Sequence, residues 1–226
     1  TNGPVDFNNS GTLDIQSGTL SVSSTSFVQS GTVVLGSGTT LSRANGFTNT
    51  GILRGNGTID VSGGALTNSG TIRPDGSGAD PTGVLTITGD FTQSAGGTLD
   101  MQSEGTSAGL TDVLAISGAA TLGGTLALTP VNSFLPGAGE QYPLVTYGSH
   151  TGSFATINAP AFDSLAAAYG TNGIVFTTAG ACSVDVCWIG TSGDWGTGSN
   201  WSTGAAPSTG QRVRISVAGS HTVTMA

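Results

Sequence analysis

No lysine occurs among the 226 residues; the five cationic side chains are all arginine, against 13 acidic ones, for a net charge of −8. A chain so short of positive charge has no basic patch for nucleic acid or for an anionic membrane surface, which argues against both as partners. Charged residues of either sign make up only 8%. That is not the signature of a disordered acidic chain, because apolar residues reach 36% and supply enough material for a core. Long hydrophobic runs are absent, so no helical membrane span is expected. The start carries no basic, apolar leader, which predicts a mature or excised piece. Cysteine is limited to Cys182 and Cys187. A zinc site wants four ligands, so a local disulfide between the two in an oxidising, exported setting is the simpler expectation. What the chain has in excess is glycine, 38 residues, together with threonine and serine, and this points to an all-β protein.

The glycines are periodic. Phe-Asn-Asn-Ser-Gly ends at Gly11, Phe-Val-Gln-Ser-Gly at Gly31, Phe-Thr-Asn-Thr-Gly at Gly51 and Leu-Thr-Asn-Ser-Gly at Gly70, in steps of 20, 20 and 19. A looser copy follows from Phe91. Four residues before each glycine stand Phe7, Phe27, Phe47 and Leu66, with Phe91 in the loose copy, and these are read as a stacked core column. After the glycine, apolar and polar residues alternate, which describes a strand with one face buried. A unit of roughly 20 residues cannot bury that face alone, so copies must stack like on like. The expected fold is a parallel β-solenoid (β-helix) over residues 1–129. Less regular closing rungs are expected over 130–181, and a Trp-rich boundary segment stapled by the disulfide over 182–226, leading into a next repeat. Asn9, Gln29, Asn49, Asn68 and Gln93 form a column of amides, and such side chains hydrogen-bond from rung to rung in stacked β structure. A threonine column (Thr12, Thr32, Thr71, Thr98, Thr125) is read as a structural hydroxyl ladder in preference to an ice-binding surface, because each threonine stands singly after its glycine.

Sites for chemistry are few. Asp14, Asp60 and Asp100 fall on outward columns, and Arg54 and Arg73 occupy adjacent rungs of one column; sparse solubilising charge accounts for them better than a polysaccharide-cleaving centre. Asp75 and Asp80, in the Gly- and Pro-rich loop after Arg73, are candidates for Ca²⁺, with turn formation as the plainer role. No other cofactor is expected, and no enzyme. All three tryptophans, Trp188, Trp195 and Trp201, fall within fourteen residues. They would contact a glycan or partner if exposed, or plug the boundary between solenoid blocks if buried.

Gly-Thr-Ile-Arg-Pro, then Gly-Val-Leu-Thr-Ile-Thr-Gly-Asp-Phe-Thr-Gln-Ser and Gly-Gly-Thr-Leu, resemble the passenger repeats of autotransporter and filamentous-haemagglutinin-type bacterial surface proteins. Trp188 to Pro207 resembles the segment that opens a new repeat block in large bacterial exoproteins. The resemblance implies an extracellular, cell-surface β-helix with an adhesive or structural role, and it supplies no catalytic residue. Joining Ala226 to Thr1 reads as an uninterrupted module, so the chain is expected to be one period of a tandem array, or to stack head to tail with copies of itself. The competing functions are glycan binding through the Trp segment and, last, a polysaccharide-degrading β-helix.

Overall fold

The computed structural model describes residues 6–75, 81–134, 136–137, 139–162, 165–178, 186–215 and 221–225. Each turn of chain lays down three short strands, one per face of a parallel β-solenoid. The first rung consists of Phe7–Asn9, Thr12–Ile15 and Thr19–Ser21, and the second of Phe27–Gln29, Thr32–Leu35 and Thr40–Ser42. Register keeps like on like: Phe7 lies on Phe27, Leu13 on Val33 and Leu20 on Leu41. Alternation sets the faces. In Thr32–Leu35, Val33 and Leu35 are buried while Thr32 and Val34 point outward.

The second face is the clearest stack, seven strands running from Thr12–Ile15 to Thr156–Asn158. The other two faces merge into one sheet, because two long strands, Thr58–Asn68 and Val84–Gln93, wrap the corner between them. Inside runs one continuous apolar core, from the half-buried Phe7 to Phe176.

Two features depart from a uniform period. Rungs lengthen along the chain: Asn68 bonds Gln93, 25 residues on, Arg73 bonds Asp100 at 27, and Thr121 bonds Thr151 at 30. The roughly 20-residue period belongs to the first rungs, and later rungs carry insertions at their corners. The third face also changes direction. Gly173–Thr177 pairs antiparallel with Gln141–Thr146, and Ala166–Tyr169 pairs antiparallel with Gly173–Thr177 in turn. A hairpin therefore closes that face, and residues 166–169 form a strand.

The tail packs a separate small core of Val186, Trp188 and Trp201. Its strands are again parallel: Val186–Cys187 pairs with Val213–Arg214, and Gly193–Asp194 with Val223–Thr224.

Candidate functional site

The amide column lies inside, at the end of the first-face strands. Asn9 is 8% exposed, and Gln29, Asn49 and Asn68 are fully buried. Asn9 Nδ2 donates to Gln29 Oε1 at 2.8 Å, Asn49 Nδ2 to Asn68 Oδ1 at 2.8 Å, and Asn68 Nδ2 to Gln93 Oε1 at 3.0 Å. Between Gln29 and Asn49 the chain of side chains is interrupted, because Gln29 Nε2 donates to Gly31 O at 2.8 Å. Beside it runs the ring column. Phe7 and Phe27 stack at 5.5 Å, Phe27 and Phe47 meet edge to face at 4.9 Å, and Leu66 and Phe91 continue the register.

Outward on the second face, one column reads Asp14, Val34, Arg54, Arg73, Asp100, Ala127 and Asn158. Asp14 and Asp100 are thus separated by three rungs, and Asp60 sits on the third face above Ser42. The three carboxylates do not converge on any one point where a bond could be cleaved. Arg73 pairs with Asp100, and that bond raises the guanidinium's pKa. Arg54 Nε lies 2.6 Å from Asp75 Oδ2. Burial pushes the Asp75 carboxyl above its ordinary value, against the pull of Arg54 and Arg73. Of the two calcium candidates, Asp75 is held by an arginine, and Asp80 lies outside the described residues. No group of three or more His, Cys, Asp or Glu that could hold a metal occurs among the described residues.

The threonines form outward columns on more than one face. Thr12, Thr32, Thr71, Thr98 and Thr125 align on the second face, with Ile52 between Thr32 and Thr71, and their hydroxyls do not bond one another. This corrects the ladder expectation for that column. The third face carries paired columns, Thr19, Thr40, Thr58, Thr86 and Ser21, Ser42, Asp60, Thr88, which the single-threonine pattern of the second face does not reveal.

Trp188 and Trp201 are 3% and 1% exposed and pack edge to face at 4.9 Å. Trp201 Nε1 donates to Trp195 O at 2.7 Å. Of the three rings only Trp195 is half-buried, so it alone retains surface for a glycan. Cys187 is buried, and Cys182, its expected partner, lies outside the described residues.

Two buried charged groups escape the sequence reading. Asp112, fully buried, accepts Gly83 N at 2.8 Å and Gln102 N at 2.7 Å, and burial pushes its carboxyl up to about 8. It stands alone in an insertion, with no repeat column to mark it. Arg43 occupies an interior column between Val22 and Val61. Aligning Thr40-Leu-Ser-Arg with Thr19-Leu-Ser-Val and Thr58-Ile-Asp-Val gives the signal that finds it.

Comparison with known families matches residues 2–95 to the family described as Haemagglutinin repeat. The match covers four rungs and the start of the fifth. Residues 2–95 are thus similar to a repeat of filamentous-haemagglutinin type. Searches of curated proteins and of solved structures found no match. Among the described residues, no helix is long and apolar enough to cross a membrane.

Proposed function

From a repeat region of the haemagglutinin type, we propose that this chain is a non-catalytic module of a bacterial extracellular fibre or adhesin stalk, joined end to end with further copies. The modules would be residues 1–129, 130–181 and 182–226. The reading rests on the two ends. At one end the three strands of the first rung pair on one side only among the described residues, with Phe7, Leu13 and Leu20 only half-buried where their stack partners Phe27, Val33 and Leu41 are buried. At the other, the tail's outer strands also run parallel, and Ile215 and Met225 beside them are 46% and 79% exposed. Parallel edges and unfinished apolar columns at both ends suit continuation by another rung, through the covalent chain or by docking. The separation of Asp14, Asp60 and Asp100 disfavours a glycan-cleaving function.

Cleavage of the native protein at arginine tests the array. A peptide running from Ile215 through Ala226 into Thr1 and on to Arg43 is expected for covalent repeats. Docked copies would instead show a particle mass that rises with concentration. A free Thr1 on a particle of single-copy mass at every concentration would sink both forms.

A further inference from the structure

One arginine breaks a column of valines. Val22, Arg43 and Val61 occupy equivalent inward positions and are 9%, 8% and 0% exposed. A guanidinium has five N–H donors, and burying its charge without a partner costs far more than burying valine. Arg43 satisfies two of those donors, Nε on Gly46 O at 2.9 Å and Nη1 on Ser24 O at 2.8 Å, both neutral carbonyls. The Phe27 ring adds a cation–π contact, 5.6 Å from the guanidinium carbon. No carboxylate pairs with it: the ion pairs among the described residues are Arg54–Asp75 and Arg73–Asp100. Asp60, stacked on Ser42, spends its oxygens on Ser42 Oγ at 3.2 Å and Ser62 N at 3.1 Å.

The same arginine lines a corner cleft of about 290 Å³ between the first two rungs, with Ser21, Ser23, Ser24, Ser42, Ala44 and Asn45 around it. Ser24 and Ser42 hydroxyls are engaged within the chain, while those of Ser21 and Ser23 bond none of the described residues. Broken local rules in a regular stack concentrate at functional or strained sites.

We propose that this cleft binds the carboxylate of a uronic-acid sugar. A planar carboxylate matches the guanidinium fork, and the free serine hydroxyls suit the ring hydroxyls beside it. The volume sits at the small end of ligand pockets and holds one ring. A chain of net charge −8 offers no attraction to a polyanion at long range, so recognition is of one charge at close quarters. The site is independent of whether copies join end to end.

Titration of the isotope-labelled full chain with galacturonic acid, followed by NMR, tests this, with its methyl ester and galactose 6-sulfate as comparisons. Shifts at Arg43 Nε–H and at Ser21 and Ser23 are expected, with a Kd of about 1–10 mM and at least about tenfold weaker binding of the ester. Arg43 also holds two corner carbonyls, so its own replacement risks the fold. Ser23→Glu instead supplies an internal carboxylate. It should raise the melting temperature by about 2–5 °C and abolish galacturonate binding. Absent shifts at about 50 mM sugar, equal binding of the ester, equal binding of the sulfate or of inorganic sulfate alone, or unchanged binding in Ser23→Glu would each overturn the proposal.

Discussion

A buried amide must satisfy both an acceptor oxygen and two N–H donors, and the column meets that demand from neighbouring rungs. Asn49 Nδ2 reaches Asn68 Oδ1, Gly51 O and Thr71 O, while its Oδ1 accepts Gly51 N. Replacing it by leucine strands the Asn68 and Thr71 acceptors in the interior. We expect Asn49→Leu to cost about 2–3 kcal/mol, read as a lower urea midpoint at unchanged slope. The column ends at Gln93, whose Nε2 is buried without a partner because Leu122 holds the next position. Amides at fixed spacing made this column legible in the sequence. Asp112 was not legible, since nothing in its local sequence announces a carboxylate that folding will enclose. Its consequence is a pH dependence. A carboxyl raised from 3.8 to about 8 binds its proton more tightly in the folded chain, so its contribution is complete below about pH 4 and is lost as pH rises through 8. Asp75, also raised, acts in the same direction. The melting temperature should fall between pH 5 and 8 and level off above, as thermal scans can follow. Asp112→Asn should flatten that slope while lowering stability at pH 5, because its amide N–H₂ would oppose one of the two backbone donors.

At the level of strands and corners, glycine decides how closely rungs approach. A Cβ on Gly51 would lie 2.0 Å from Gly31 O, and one on Gly31 2.1 Å from Gly11 O. Gly11, in the first rung, has nothing within 4 Å of that position. Identical substitutions in one sequence column should therefore diverge. Gly51→Ala is expected to cost at least about 2 kcal/mol and Gly11→Ala less than about 0.5 kcal/mol in the isolated chain, measured by denaturant unfolding. Alternation and the glycine step made the early strands readable because every rung repeats the same short turn. Rung length after Arg73 was less readable, since corner insertions leave the strands themselves unchanged. The antiparallel pairing of 166–169 and 173–177 left no trace, because inward–outward alternation is the same in either direction.

Taken whole, the molecule is a one-dimensional stack. Seven strands on the second face, spaced by about 4.8 Å, extend it by about 30 Å along the axis. Each rung touches only its neighbours, so stability is greatest where both sides are covered. Amide exchange should be slowest at Leu53, Ile72 and Leu99, fully buried in the middle rungs, and fastest across Thr12–Ile15 and Thr19–Ser21; a flat profile would mean that the chain opens as one unit. The hairpin on the third face also bears on misassembly. A parallel stack with three free edges is a ready seed: stray chains can add to it strand by strand, as in amyloid. Reversing one of the three edges removes that match, because an arriving rung would have to run both ways at once. Ala166–Tyr169 thus makes the face it closes a poor nucleus for strand-by-strand addition.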